Sequence, residues 1–218
     1  GASSGIGATY ADRLAKAGYD LILVARNEDR LAVFAKGLIA ETGRLVETIV
    51  ADLSNADDLA RVETTLKTNL AITLLVNNAG LGASAPLLQS DVTKMGDMIT
   101  LNVSVLTRLT YAALPAFASR GAGTVINISS VAALSPGLLN GVYAGTKAFV
   151  LAFSQSINHE LGAKGIRVQV VLPGATATDF WNKAGMPIEH LPKGIVMPVG
   201  DMVDAALAGL EQGELVTI

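Results

Sequence analysis

Five short runs of leucine and β-branched residues, at residues 21–24, 46–50, 72–76, 124–128 and 168–172, recur along the chain with helix-length segments between them. That alternation constrains the fold more than any other feature, because it reads as repeated βαβ units built around a parallel sheet. The runs are apolar on consecutive residues and do not alternate with polar ones. Strands of that kind have helices on both faces. Residues 7–17, 28–40, 57–66, 104–118, 142–161 and 200–210 carry the apolar spacing of helices. Gly18, Gly43 and Gly162 stand where helices would end, and Ser54 with Asp57 resembles a capping box. The expected fold is α/β: a doubly wound, Rossmann-like parallel sheet in three α/β/α layers, with residues 1–218 forming one dinucleotide-binding and catalytic domain. Residues 175–198 break the rhythm, rich in Gly, Pro and Met, and are expected to form a substrate lid.

A chain that is 50% hydrophobic over 218 residues can bury a large core. Lys and Arg total 16 against 19 Asp and Glu, a formal charge of −3, so no broad positive field is available for nucleic acid or an anionic membrane surface. The absence of cysteine and the two isolated histidines, His159 and His190, argue against a disulfide framework or a metal site. Apolar runs are strand-sized and too short to span a bilayer. A cytoplasmic location is the default expectation.

The first residues read Gly1-Ala2-Ser3-Ser4-Gly5-Ile6-Gly7. Glycines at that spacing let the backbone approach a phosphate, and the helix that follows offers free N–H groups and its positive end. A phosphate-binding turn of this kind needs a strand before it. None precedes Gly1, so a strand ahead of residue 1 is expected, and its omission would leave a trench between its neighbours in the sheet; residues 215–218 look like a strand cut short. At the end of the next strand stands Arg26, where an enzyme binding NAD would usually carry an acidic residue for the ribose hydroxyls. A guanidinium suits a 2′-phosphate instead, with Ser3 as a further donor, so the cofactor expected is NADP. An ordinary solvated arginine is the plainer reading of that position alone.

Asp52-Leu53, Asn77-Asn78-Ala79-Gly80 and Asn127-Ile128-Ser129-Ser130 follow three later strands. They lie at the carboxyl ends of the strands, where the ligand crevice of such a sheet forms. Thirteen residues beyond Ser130 comes Tyr143, and Lys147 lies four further on the same helix face. A Tyr-x-x-x-Lys pair alone could be a surface pair. Beside a crevice, an ammonium that favours phenolate would bring a phenol of ordinary pKa about 10 into range for acid–base work.

Taken together, these segments resemble the short-chain dehydrogenase/reductase family. The resemblance rests on Gly1-x-x-x-Gly5-x-Gly7, Asp52-Leu53, Asn77-Asn78-Ala79-Gly80, Ser130, Tyr143-x-x-x-Lys147 and Pro173-Gly174, in order over nearly the whole chain. It implies Tyr143 as proton donor or acceptor, Lys147 on the ribose hydroxyls and Tyr143, and Ser130 on the substrate oxygen, the spacing favouring Ser130 over Ser129. It also implies that Asn102 holds a water relaying protons from Lys147. Asn78, Ala79 and Gly80 would line the adenosine ribose, and Thr176 or Thr178 the nicotinamide amide or pyrophosphate. The activity implied is reversible hydride transfer between NADP(H) and a carbonyl or secondary alcohol. Other readings are an isomerase or dehydratase on the same fold and a non-catalytic NADP(H)-binding sensor or scaffold. Phe180, Trp181, Met186, Ile188 and Leu191 would give the lid an apolar face. A homodimer or homotetramer is expected, with Ala112, Ala113, Ala116, Ala148 and Ala152 permitting close helix packing between subunits.

Overall fold

The computed structural model describes residues 1–218, the side chain of Lys193 apart. Its elements are α1 (Gly5–Lys16), β1 (Leu21–Ala25), α2 (Glu28–Thr42), β2 (Val46–Val50), α3 (Ala56–Thr68), β3 (Leu74–Asn77), α4 (Val92–Ile99), α5 (Leu106–Arg120), β4 (Gly123–Ile128), α6 (Gly141–Leu161), β5 (Ile166–Val171), β6 (Ala175–Thr176), α7 (Phe180–Lys183), β7 (Val196–Met197), α8 (Val199–Glu211) and β8 (Val216–Thr217). Every strand pairing is parallel. The strands run in the order β3-β4-β5-β8, with β1-β2 as a separate pair. This is a three-layer α/β/α fold.

The layering follows from the period of two along the central strands. On β4, Val125 joins a core with Leu59, Val62, Leu109, Phe117 and Ile157, from α3, α5 and α6. Its neighbours Ile126 and Ile128 face the other way, against Tyr10 and Leu14 of α1 and Met202 and Val203 of α8. Because both faces are covered, the strand is apolar at consecutive positions. The edge strand β2 departs from that expectation. Glu47, Thr48 and Val50 are exposed there, since no strand lies beyond them.

Between β1 and β3 the sheet is open. A cleft of about 590 Å³ there is lined by Leu21, Leu23, Leu74 and Val76 with Tyr10 and Leu14. The Tyr10 hydroxyl is buried beside it without a hydrogen-bond partner.

Element ends differ from the sequence reading in detail. Asn55, not Ser54, caps α3, its side chain accepting from the N–H groups of Asp57 and Asp58. Gly43 ends α2 in the left-handed region as expected, whereas α6 runs through Gly162 into a short 3₁₀ turn that Gly165 (φ 81°) terminates. Residues 175–198 are more ordered than their composition suggests: β6 pairs with β7, Ala175 opposite Val196 and Thr176 opposite Met197, closing the ends of the excursion that carries α7. No described helix is long and apolar enough to cross a membrane.

Candidate active site

At the carboxyl ends of the strands lies a cavity of about 620 Å³. The glycine turn forms its upper wall. The Ala2 N–H donates to Val24 O at 3.1 Å, tying the turn to the end of β1. Gly5 has φ 53°, a conformation other residues resist, and Gly7 has no room for a side chain because an added Cβ would stand 2.3 Å from Gly1 O. The N-cap Ser4 makes no side-chain capping bond, so the first-turn N–H groups of α1 keep the orphan donors expected at a helix start. Ser3, Ser4, Gly5 and Ile6 line the cavity. Ile6 also packs into the core beneath.

On the flank of this turn, Arg26 leaves β1 with its side chain 69% exposed, and its guanidinium stands 3.8 Å from the Asp52 carboxylate. Asp52 is otherwise occupied by its own turn, accepting the Ser54 N–H at 3.0 Å. Leu53 is mainly a core residue. Arg30, which the sequence reading passed over, lines the same cavity with Asn27. Its position in the first turn of α2, four residues after Arg26, was the available signal.

Asn78, Ala79 and Gly80 leave β3 along the cavity floor, and Asn78 Nδ2 donates to Gly1 O at 3.3 Å. Pro173, Gly174, Thr176 and Thr178 line the opposite wall. The Pro173 carbonyl accepts from the Val131 N–H at 3.1 Å. Thr176 is buried, its hydroxyl donating to Gly174 O, while the Thr178 hydroxyl accepts from the Phe180 N–H. A glycine turn and free helix N–H donors at the wall of one cavity fit the pyrophosphate of a dinucleotide.

Ser130, Tyr143 and Lys147 converge on this cavity, each less than a tenth exposed. Asn140 caps α6 and so fixes where Tyr143 starts its first turn. The Ser130 hydroxyl donates to Pro173 O at 3.5 Å and accepts from the Ala132 N–H at 3.2 Å. Ser129, by contrast, donates its hydroxyl to Lys147 O at 2.7 Å and turns away from the phenol. The Lys147 ammonium donates to Ile128 O at 2.9 Å and lies 5.8 Å from the Tyr143 ring centroid. Burial pushes the ammonium well below the ordinary lysine range, to about 8. Burial also raises the phenol, only partly offset by the neighbouring Ser130 hydroxyl. The shift is opposite to the lysine-driven lowering expected from the sequence, because desolvation of the phenol outweighs the other influences on it.

Asn102 sits in a π turn, Thr100–Val105, between α4 and α5. Its side chain grips the backbone of Leu81 in both directions: Oδ1 accepts the Leu81 N–H at 2.8 Å, and Nδ2 donates to Leu81 O at 2.9 Å. Nδ2 also reaches Thr146 Oγ1 at 3.1 Å. The residue therefore fixes the loop carrying Gly80, whose added Cβ would stand 3.1 Å from Asn102 Oδ1 and 3.7 Å from Lys147 Nζ.

Residues 175–198 supply much of the apolar side. Phe180, Trp181, Met186 and Leu191 line the cavity with Leu139. Ile195 lines it too, where the sequence reading had Ile188.

Residues 1–187 match the family described as short chain dehydrogenase. A short-chain dehydrogenase from Sphingobium yanoikuyae, solved in complex with NADPH, is 48% identical, with 100% of this chain and 84% of that chain covered and a TM-score of 0.97. A bulky-bulky ketone specific alcohol dehydrogenase from Comamonas testosteroni is 45% identical, with coverage of 100% and 83% and a TM-score of 0.91. The very-long-chain 3-oxoacyl-CoA reductase-A of Danio rerio is 35% identical over 182 residues, 82% of this chain. The chain spans 57% of that relative's length.

Proposed function

The chain belongs to the short-chain dehydrogenase family, and from that premise we propose that it interconverts a ketone or aldehyde and the corresponding alcohol using NADP(H). The observation that carries the reading is the meeting of the Ser130 hydroxyl, the Tyr143 phenol and the Lys147 ammonium in the same cavity as the glycine turn and Arg26. The NADPH in the Sphingobium yanoikuyae structure and the ketone specificity in the Comamonas testosteroni enzyme's name support the cofactor and substrate class.

When bound, NADPH supplies the hydride from its nicotinamide ring. The chain does the rest. Backbone N–H groups of the first turn of α1 would hold the pyrophosphate, and Arg26 would pair with the 2′-phosphate. Ser130 Oγ and Tyr143 Oη donate to the carbonyl oxygen, and Tyr143 delivers its proton there as negative charge develops. A phenol whose pKa burial has raised is held in its protonated form, the form a donor needs. Lys147, anchored by Ile128 O, keeps a positive charge beside the phenolate left behind. Asn102 acts through Leu81, fixing the loop that carries Gly80.

Tyr143→Phe keeps the ring and removes the proton. It is expected to bind NADPH as the wild type does and to lose about 10²- to 10⁴-fold in turnover on a panel of ketones and aldehydes followed by NADPH oxidation. Near-normal turnover by this variant would overturn the mechanism.

A further inference from the structure

The Phe180 ring stands beside the Tyr143 ring, centroids 5.9 Å apart and planes tilted by 47°. It can do so because position 82 carries no side chain. A Cβ added at Gly82 would lie 2.2 Å from Phe180 Cζ and 2.6 Å from Cε2, so the ring occupies the volume any other residue there would fill. Trp181 stands edge-on to the same ring, 5.7 Å away and at 89°, and its indole N–H donates to Thr176 O at 2.9 Å. The end of α7 is fastened to the loop that carries Gly82. Both the N–H and the hydroxyl of Ser84 donate to Ala184 O, at 3.0 and 2.8 Å. Phe180 is therefore gripped between a glycine floor, an indole and a two-bond latch. A carbonyl oxygen within hydrogen-bond reach of Tyr143 and Ser130 places one of its two substituents in the space bounded by this ring.

We propose that Phe180, seated on Gly82, sets the size limit for one arm of the ketone, while the other arm runs along the apolar wall of Leu139, Met186 and Leu191. The inference rests on the carbonyl-reducing reading of the site. The substrate class it names is an asymmetric ketone with one large apolar arm and one arm limited by the Phe180 ring. Gly82 is a positioning residue that acts only through Phe180.

The chain's single tryptophan is Trp181, so ketone binding can be read from its fluorescence with NADP⁺ present, whether or not turnover occurs. Phenyl alkyl ketones with the alkyl arm growing from methyl to pentyl are the probes, and NADPH oxidation is followed separately. Phe180→Ala is expected to improve the pentyl-to-methyl ratio of affinities by about tenfold or more, through KM and not kcat, as steric discrimination in an apolar pocket does. Gly82→Ala is expected to change the ratio in the wild type and to leave it unchanged in the Phe180→Ala background, the signature of two positions acting as one. Phe180→Leu replaces Phe180→Ala if the latter fails to fold, judged by NADP⁺ affinity and a cooperative melt. A ratio within about twofold of wild type in the Phe180 variant, or a Gly82 effect that survives without the ring, overturns the proposal while leaving the oxidoreductase reading in place. Size-dependent binding that follows Phe180 with no NADPH oxidation keeps the proposal and sinks the oxidoreductase reading. Binding of NADP⁺ with none of the ketones overturns both.

Discussion

Among the described residues, Arg26 is held only by a 3.8 Å approach to Asp52, and it is mostly exposed, so its guanidinium can turn toward an incoming phosphate. A charge-assisted hydrogen bond of that kind contributes roughly 1.5–3 kcal/mol, and about 1.4 kcal/mol is tenfold in affinity. A preference of at least tenfold for NADPH over NADH is expected, most of it lost in Arg26→Ala with NADH binding little changed. Titration of both cofactors decides it, and equal affinities in the wild type would remove the NADP assignment. Lys147 makes a different prediction. Its folded pKa of about 8 lies below the ordinary 10.5, so between those values the unfolded chain holds a proton the folded chain has released. Stability from this group rises with pH across that window, by at most roughly 1.4 kcal/mol per pH unit. Tyr10 and Tyr143, both raised by burial, give the opposite slope only above about 10. Urea unfolding from pH 8 to 9.5 is expected to show the rise in wild type and a flatter profile in Lys147→Met; parallel profiles would refute it. Ser130, Tyr143 and Lys147 stood out only through the combination of segments, since a Tyr-x-x-x-Lys pair alone also reads as a surface pair; all three line one cavity. The Asn102 clamp was not, because its partners are the backbone groups of Leu81, which have no side-chain signature.

Below the site the elements are joined by side chains that face no ligand. Asn77 on β3 donates to Thr110 of α5 at 3.0 Å and to Asn127 of β4 at 2.9 Å, and Asn127 donates to Ser154 of α6 at 2.9 Å. This buried chain of hydrogen bonds sets the relative height of the strand ends that deliver Asn78 and Ser130. Asn77→Ala leaves the Asn127 carbonyl oxygen without its donor in a buried setting, at a cost of about 1–3 kcal/mol. A lower urea midpoint with an unchanged slope is expected, and a midpoint equal to wild type would refute the role. The apolar pattern placed these asparagines together at the crevice mouth, and only the family resemblance set Asn78, which lines the cavity, apart from Asn77, which is structural. Adjacent strand residues point to opposite faces, and that distinction needs the register, which apolar runs leave uncertain by a residue. Residues 92–120 hid the π turn for a related reason: its hydrogen bonds shift by one residue without altering composition.

For the molecule as a whole, the alternation of apolar runs sufficed for three layers and a parallel sheet, because burial on both faces leaves a strong compositional trace. Surface contacts leave a weaker one. Of the five alanines read from the sequence as packing surfaces between subunits, Ala112 and Ala113 are buried inside this one, Ala116 and Ala148 are half-buried and Ala152 is exposed. α5 and α6 also present aromatic residues outward: Tyr111 and Phe149, 67% and 38% exposed, both stack on Phe153 at 6.4 and 5.5 Å between centroids. Such a surface cluster favours association. A homo-oligomer is expected by light scattering at micromolar concentration, shifted toward single subunits by Tyr111→Glu with Phe149→Glu; one-subunit mass for the wild type would refute it. The β6–β7 ladder has a further consequence at this scale. Paired strands lie about 4.8 Å apart, so residues 177–195 leave and rejoin the framework at almost one point. A segment anchored that way can be exchanged as a cassette: doubling its length raises the closure entropy by only about 0.6 kcal/mol, and grafted lids of other lengths become a practical route to new specificities on an unchanged dinucleotide scaffold.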